Sequence, residues 1–261
     1  MSVRRWLGRF TILRVLNEAR IALAHQFGLN LHWLTGIGRL FTFAREYRQF
    51  RALNVGTPFV LRGGFIRPCL MDRTETTPIE PVYFYQDTWF ARKIAEQRPT
   101  SHVDVGSSVK SMALVAQFVP VTLVDIRPVE VELQGFHFKT GTVLALPYAD
   151  SELASLSSLC VIEHIGLGRY GDPIDAQGSE KAAAELVRVL GHGGNLYVSV
   201  PVDVECRIFF NAHRAFTREY LLSLFPELIL VEERYIYGSK VFQFHEPERG
   251  FGTGLYHFRR S

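Results

Sequence analysis

The sequence predicts an α/β fold: a doubly wound, mostly parallel sheet of seven strands, preceded by an N-terminal helical extension. Short apolar runs of strand length alternate with segments in which apolar residues recur at helical spacing. This alternation is typical of βαβ units. The last two apolar runs have no helical segment between them, so we expect an antiparallel edge strand on an otherwise parallel sheet.

The clearest βαβ unit lies at residues 100–128. The run His102–Val105 leads into a sharp turn at Gly106. The apolar residues that follow are spaced as on one face of a helix, namely Met112, Val115, Ala116 and Val119. A second run, Val121–Val124, ends in an acid, Asp125. The sequence therefore predicts a strand, a tight turn, a helix and a parallel strand.

Later segments continue the alternation. Further strands are predicted near residues 136–138, 154–160, 195–200, 228–235 and 254–259. Helices are predicted over residues 88–97 with Asp87 as the N-cap, over the segment that carries Ala183, Leu186, Val187 and Leu190 on one face, and near residues 217–224. The glycines at 191, 193 and 194 are expected to cap the second of these helices.

Composition and cysteine usage limit the class of protein. A chain of 261 residues that is 47% hydrophobic and 21% charged has the composition of a globular protein with an ample core. The three cysteines, Cys69, Cys160 and Cys206, are widely spaced and suggest neither a disulfide framework nor a metal site. Together with the lack of a signal-peptide pattern, this favours a reducing, cytoplasmic location.

The chain divides into a basic helical extension at residues 1–55, a linker or lid at 56–86, and an α/β domain at 87–261. The extension carries nine arginines against two acids, or +7, which leaves −4 for the rest of a chain of net charge +3. It is either a helical cap with solvated arginines or, over residues 1–50, an interfacial segment attracted to anionic lipid. No nucleic-acid motif accompanies the arginines, so no nucleic-acid partner is expected.

Two tyrosines near the end of the linker precede the first strand. Tyr83 and Tyr85 belong to a stretch rich in aromatic residues and turn formers. They either fold over a ligand as part of a lid or cover apolar surface of the domain.

The turn after the first strand indicates the kind of ligand. An acid at the tip of the second strand, Asp125, can accept hydrogen bonds from both hydroxyls of a ribose. The turn itself contains one glycine, Gly106, and lacks the G-x-G-x-x-G pattern that admits the pyrophosphate of a dinucleotide. The preceding acid, Asp104, would repel a pyrophosphate but suits an ammonium group. This pattern favours an adenosine cofactor with an amino-acid portion, such as S-adenosylmethionine.

Five motifs resemble those of the class I S-adenosylmethionine-dependent methyltransferases, in order and spacing. They are Asp104-Val-Gly106, Asp125 after the second strand, Leu146-Pro-Tyr148, Glu163-His-Ile165 and Arg188-Val-Leu-Gly-His-Gly-Gly194. The resemblance covers roughly residues 85–261 and implies a Rossmann-like methyltransferase fold.

Other stretches resemble, more narrowly, a bacterial methyltransferase-like family of unknown function that is associated with surface-polysaccharide synthesis. These stretches are Asp72-Arg-Thr-Glu75, Tyr83-Phe-Tyr-Gln-Asp87, residues 164–175, Phe210-Asn-Ala-His-Arg214 and Gly254-Leu-Tyr-His-Phe258.

The resemblance to the class I enzymes implies a set of cofactor-binding residues. The methionine portion of S-adenosylmethionine would lie against Asp104, Gly106 and Ser107. Asp125 would hold the ribose hydroxyls and Ile126 would pack on the adenine. The remaining contacts would come from Thr142 and Val143 at the adenine edge, and from Leu159 and Cys160 on the sulfonium side.

Candidate residues for the methyl acceptor follow the fourth and fifth strands. A poorly nucleophilic hydroxyl benefits from a general base, and the candidates for this role are His164 and His213. Glu163, Asp172 and Arg214 are candidate substrate-binding residues. A structural alternative stays open for each of them: His164, His213 and Arg214 as tethers, Glu163 as an acid at a helix start, and Asp172 as a turn former.

Three functions are compatible with these observations. The first is a methyltransferase that acts on a small or glycan-like acceptor. The second is a non-catalytic methyltransferase-like scaffold in an envelope-polysaccharide pathway, and the third is a nicotinamide-dependent oxidoreductase, which the missing G-x-G-x-x-G pattern disfavours.

The charge of residues 1–55 generates the first prediction. If this segment lies on membranes, the full chain will sediment with anionic liposomes at low salt, and deletion of residues 1–50 will reduce that binding while leaving a folded domain. Neutral liposomes serve as the control. Failure of the intact chain to bind anionic liposomes at low salt would contradict the membrane interpretation.

Overall fold

The computed structural model describes residues 33–261, in two compact units. The helical extension was expected over residues 1–55 and the membrane contact over residues 1–50; of both, the part at residues 1–32 lies outside the described residues. In the first unit, helix α1 (Trp33–Leu53) precedes a short 3-10 helix at Gly63–Phe65. Arg39 donates to the carbonyl oxygen of Leu70 at 3.1 Å. Among the helices described, none is both long and apolar enough to cross a membrane.

The second unit, residues 79–261, contains a mostly parallel sheet. The first five strands are parallel and are β1 (His102–Val105), β2 (Val121–Asp125), β3 (Phe136–Thr140), β4 (Leu153–Leu159) and β5 (Leu190–Val202). A small separate hairpin consists of β6 (Arg207–Phe209) and β7 (His213–Ala215). The main sheet is completed by β8 (Leu228–Tyr237), β9 (Lys240–Phe242) and β10 (Gly252–Arg260).

The strand order confirms the predicted doubly wound α/β class. The sheet has eight strands in the order β3-β2-β1-β4-β5-β10-β8-β9. β10 is antiparallel to both of its neighbours, and β9 pairs antiparallel with β8 at the edge. The predicted antiparallel end is therefore present, but the last strand lies inside the sheet. The eighth strand was not predicted because β9, at three residues, is too short to show a pattern.

Helices cover both faces of the sheet. One face is covered by α2 (Pro81–Gln97) and α3 (Val109–Val115), whose buried side chains include Phe90, Ile94 and Met112. On the other face, α4 (Gly178–Val189) and α5 (Arg218–Ser223) contribute Leu186 and Leu221 to the core. Because both faces are covered, the central strands are buried on each side, as parallel strands usually are.

Helix α2 begins before the predicted position. Asp87 is not its N-cap, because the helix starts at Pro81 and its cap is Glu80, whose carboxylate accepts from the backbone N–H of Tyr83 at 2.7 Å. Proline is compatible with the first helical position, since the N–H that it lacks has no partner there. Tyr83 and Tyr85 therefore lie on a helix and not in a linker.

The end of helix α4 also differs from the prediction. The glycines at 191, 193 and 194 do not cap the helix but belong to β5, which begins at Leu190 directly after the helix. A Cβ atom at Gly191 would lie 2.9 Å from the carbonyl oxygen of Ser151. Glycine is thus used here for the close approach of two backbones, in a strand whose pairing with β4 shifts register.

Candidate functional site

A cavity of about 430 Å³ opens at the carboxyl ends of the first four strands. Open α/β sheets bind ligands at this edge, and the volume lies within the range of small-molecule sites. Most of the predicted site residues line this cavity, namely Gly106, Asp125, Ile126, Thr142, Val143, Cys160, His164 and Asp172. Its walls are mainly apolar, with additional contributions from Val105, Val124, Leu144, Val161 and Ile165.

The turn after β1 presents backbone to the cavity. Gly106 has a φ of +74°, and a Cβ atom at this position would lie 3.0 Å from a methyl group of Val161. Its N–H donates to the carbonyl oxygen of Val124 at 2.9 Å. Glycine is required here both for the left-handed conformation and for the narrow gap.

Asp104, Ser107 and Leu159 do not line the cavity, contrary to the expectation for cofactor contacts. The carboxylate of Asp104 is fully buried and accepts hydrogen bonds from the backbone N–H of Ser107 at 3.0 Å, from its hydroxyl at 2.7 Å, and from the hydroxyl of Ser157. The Ser107 hydroxyl also accepts from the N–H of Leu159 at 2.9 Å. The polar atoms of these residues are hydrogen-bonded within the protein. They therefore stabilise the turn from the side of the core.

A buried histidine extends this network. The two ring nitrogens of His102 lie 2.8 Å from the hydroxyls of Ser155 and Ser157. Burial lowers the pKa of His102 to about 3 and raises the pKa of Asp104 to about 6, although hydrogen bonds from Ser157 and Ser107 oppose the second shift. The sequence contained a signal for this network, since serines alternate along β4 at positions 155 and 157.

Asp125 lies at the tip of β2 as predicted, and its carboxylate is engaged by Arg127. It accepts from the backbone N–H of Arg127 at 2.8 Å and pairs with the Arg127 guanidinium at 3.3 Å. The guanidinium also lies 4.8 Å from the ring centroid of Tyr170. Arg127 and Tyr170, which line the cavity and were not predicted, thus join the β2 tip to the loop after β4.

The adenine-edge candidates, Thr142 and Val143, follow β3 in a tight turn. The Thr142 hydroxyl accepts from the backbone N–H of Leu144 at 3.3 Å. A Cβ atom at the preceding Gly141 would lie 2.7 Å from a methyl group of Val124. The turn therefore packs closely against β2 and brings Thr142 and Val143 to the same cavity as Asp125.

Asp172 organises the glycine-rich loop from within. Its carboxylate accepts from the backbone N–H groups of Gly166 at 2.6 Å, Gly168 at 3.4 Å and Tyr170 at 3.2 Å. Asp172 therefore has the contacts of a turn former, which was the structural alternative for this residue, although it also lines the cavity.

Arg214 does not line the cavity and is not positioned to bind a substrate there. Its buried guanidinium donates to the carbonyl oxygens of Ile165 at 2.6 Å, Asp175 at 3.1 Å and Ala176 at 3.3 Å. These bonds hold both ends of the glycine-rich loop to the β6–β7 hairpin. Arg214 is thus a tether, which was the structural alternative for this residue.

His164 lines the cavity, and one of its ring nitrogens is engaged in a hydrogen bond within the protein. Its Nδ1 atom lies 2.6 Å from the carbonyl oxygen of Ala212, and because a carbonyl can only accept, the hydrogen is assigned to Nδ1. Burial lowers the pKa of His164 to about 4, so the ring is neutral at pH 7. Its Nε2 atom carries a free electron pair and lies 3.7 Å from a carboxyl oxygen of Glu163.

His213 is not a second base in this cavity. It does not line the cavity, and its ring packs against Phe209 and Phe251 with centroid distances of 4.9 and 5.8 Å. Its Nε2 atom is buried and has no hydrogen-bond partner. Burial lowers the pKa of His213, so the neutral form of the ring is favoured.

Glu163 lies directly behind the cavity wall and not on it, contrary to the expectation for a substrate contact. Its side chain is almost fully buried, and one carboxyl oxygen, Oε2, has no hydrogen-bond partner. Burial raises the pKa of Glu163 to about 8, opposed by the Cys160 thiol and the charge of Arg169. The carboxyl group is therefore mostly protonated at pH 7.

Helix α2 covers the sulfonium-side candidate, Cys160. The Cys160 thiol donates to the side-chain oxygen of Gln86 at 3.0 Å, and Ser199 donates to the same oxygen at 2.6 Å. Burial raises the pKa of Tyr83, and the next largest contributions come from neighbouring Cys160 and Glu163. Tyr83 itself does not line the cavity, and Tyr85 donates to the carbonyl oxygen of Ser239 at 3.1 Å.

No metal-binding arrangement is present in residues 33–261: three or more His, Cys, Asp or Glu side chains do not come together in a way that could hold a metal ion.

Comparison with solved structures finds the same fold in S-adenosylmethionine-dependent methyltransferases. The N-methyltransferase NodS from Bradyrhizobium japonicum, solved with S-adenosylhomocysteine, matches with a TM-score of 0.52 and 17% identity, over 69% of this chain and 88% of NodS. A candidate sarcosine dimethylglycine methyltransferase from Galdieria sulphuraria matches with a TM-score of 0.51 and 16% identity, over 68% and 86% of the two chains. The Rossmann-like methyltransferase fold that the motifs implied is confirmed.

Comparison at the sequence level is less informative. Residues 146–230 match a family described as a Caenorhabditis protein of unknown function, DUF268. This segment includes Glu163, His164 and the glycine-rich loop. No curated protein matches the chain.

The buried carboxyl group of Glu163 generates a prediction about stability. Its pKa rises from 4.5 to about 8 on folding, so folding takes up a proton between these values and stability falls as pH rises through that window. Gln cannot ionise. Glu163→Gln should therefore gain stability relative to the wild type from pH 5 to pH 8, by on the order of 5–10 °C in Tm.

Scanning calorimetry of both proteins at several pH values measures this difference. Glu248→Gln makes the same chemical change at an exposed position and should show no such trend. A Tm difference between Glu163→Gln and the wild type that does not change with pH would mean that Glu163 is ionised in the folded protein.

Proposed function

We propose that the chain is an S-adenosylmethionine-dependent methyltransferase. The observation that carries this proposal is the position of Asp125 at the tip of β2, in one cavity with the glycine turn after β1 and the wall formed by Thr142 and Val143. This arrangement fits a ribose on the carboxylate and an adenine between Ile126 and the turn after β3. The methionine portion would follow the Gly106 turn, with the sulfonium beside Cys160.

Methyl transfer asks little of the protein beyond alignment and the exclusion of water. The acceptor would approach beside His164 and Tyr170, which line the cavity and whose ring centroids lie 5.7 Å apart. His164 is the residue through which an acceptor hydroxyl could lose a proton, because its Nε2 atom is unprotonated. His213 has no part in this proposal.

The acceptor class is a small or glycan-like molecule. A glycan acceptor would connect the chain to surface-polysaccharide synthesis, and the support for that connection is the resemblance of the motifs to the bacterial family. The cysteine usage supports a cytoplasmic location, and the basic charge of residues 1–55 supports peripheral contact with anionic membrane.

One observation favours the alternative of a non-catalytic scaffold. The Asp125 carboxylate is paired with the Arg127 guanidinium at 3.3 Å, and a ribose would have to compete with this contact. A protein in which the pair never opens would keep the fold without the cofactor.

Isothermal titration of the full chain with S-adenosylmethionine, with NAD as the control ligand, tests the proposal. We expect micromolar binding of S-adenosylmethionine alone. Asp125→Ala should weaken it by about ten- to a hundredfold, because hydrogen bonds to a charged group contribute about 1.5–3 kcal/mol. The fold should remain intact, since the residue lies at a strand tip.

Asp150→Ala removes a carboxylate from the surface and is the matched control. Binding of S-adenosylmethionine that is equal in wild type and Asp125→Ala would remove Asp125 from the site. Binding of neither ligand to the wild type would favour the scaffold.

A further inference from the structure

Glu163 is an acid in an unusual position. Its carboxyl group lies behind two residues of the cavity wall, with the Cys160 thiol beside it and the His164 Nε2 atom 3.7 Å away. The side chain is 1% exposed, and its Oε2 atom has no hydrogen-bond partner. Buried carboxyl oxygens are nearly always paired, so this unsatisfied atom calls for a functional explanation.

The groups around Glu163 do not supply a permanent countercharge at close range. From the end of β4 comes the Cys160 thiol, whose pKa is raised by burial. From α2 comes the neutral phenol of Tyr83, and from the β6–β7 hairpin the neutral ring of His213, which neighbours His164. Among the residues that the structure describes, the cation that acts on Glu163 is Arg169, which lies in the exposed loop and donates to the Ala212 carbonyl oxygen at 2.8 Å.

We propose that Glu163 is the switchable countercharge of the cofactor sulfonium: it is neutral in the free protein and releases its proton to solvent when S-adenosylmethionine binds, but not when S-adenosylhomocysteine binds. The inference rests on the proposed function, which places the sulfonium beside Cys160. A positive charge brought next to a buried carboxyl group favours its ionised form. The thioether of S-adenosylhomocysteine carries no charge and leaves the carboxyl group protonated.

The protons and charges balance over a turnover. Binding converts the neutral acid and a sulfonium in solution into a buried carboxylate–sulfonium pair, with one proton released to the buffer. When the methyl group leaves, the sulfur becomes neutral and the acceptor hydroxyl must lose a proton. The carboxylate takes that proton up through His164 Nε2 and returns to its neutral buried form.

No other described group beside Glu163 is expected to change its charge between pH 6.5 and 8.5. His164 titrates near pH 4, and the pKa of His213 is lowered from 6.5. The pKa values of Cys160 and Tyr83 are raised from 9.0 and 10.0. A proton that the wild type releases in this range on cofactor binding, and that Glu163→Gln does not release, can therefore be assigned to Glu163.

Calorimetry measures this proton without any acceptor. Both ligands are titrated into the full chain at pH 7 in phosphate and in Tris, because the difference in observed heat between buffers of different ionisation enthalpy gives the number of protons released. Glu163 is about nine-tenths protonated at pH 7 if its pKa is about 8. We expect S-adenosylmethionine to release about 0.9 proton more than S-adenosylhomocysteine.

Glu163→Gln should abolish this difference, and the same titration of the variant subtracts any proton that comes from the ligand itself. The wild-type preference for S-adenosylmethionine over S-adenosylhomocysteine should rise by up to tenfold per pH unit from pH 6.5 to 8, whereas the preference of the variant should be flat. Glu163→Asp should retain part of the effect, and Glu248→Gln should behave as wild type.

The outcomes separate this inference from the proposed function. If both ligands bind to wild type and Glu163→Gln with the same proton release, the countercharge role is wrong and the cofactor assignment stands. If neither ligand binds to the wild type, the proposed function itself fails. Calorimetric unfolding of each variant shows that a loss of binding does not result from loss of the fold.

Discussion

The cavity depends on a buried carboxylate that joins the ends of two strands. Asp104 belongs to β1 and accepts a hydrogen bond from Ser157 of the neighbouring β4. It also accepts two from Ser107 in the turn, at 3.0 and 2.7 Å. A buried carboxylate left without these donors would be costly, so its presence requires the turn to keep one geometry. The Gly106 backbone is thereby held at the cavity.

The opposite wall is built by the same means, with backbone groups satisfied by charged side chains. Asp172 accepts hydrogen bonds from three N–H groups inside the glycine-rich loop, and Arg214 donates to three carbonyl oxygens at the ends of the loop. A loop rich in glycine has a high conformational entropy when free. The two side chains define its course without a regular element, and they bring Tyr170 next to His164 and Arg127.

The order of strands and helices could be predicted because each element has a characteristic spacing of apolar residues, and these residues form the core. The glycine turn and Asp125 could also be predicted, since their positions at strand ends follow from the same spacing. The roles of Asp104 and Arg214 could not. In the sequence, a polar residue next to a strand end looks the same whether its side chain faces a ligand or the protein interior. The hydrogen bonds of Asp104 with Ser157 and of Arg214 with the Ile165 carbonyl distinguish the two cases. Arg127 was missed because its contact with Tyr170 joins segments far apart in sequence.

The distribution of charge in the site follows from burial. At neutral pH the part of the site around Cys160 contains a thiol, a neutral imidazole and a protonated carboxyl group, whereas the tip of β2 carries the ion pair of Asp125 and Arg127. A permanently ionised acid at Glu163 would destabilise the unliganded fold, and an apolar residue there would leave the sulfonium without a partner in a water-excluded site. A carboxyl group whose charge appears only together with the sulfonium avoids both costs. In the countercharge role that we propose, the unpartnered oxygen of Glu163 is the atom at which the charge of the ligand is balanced.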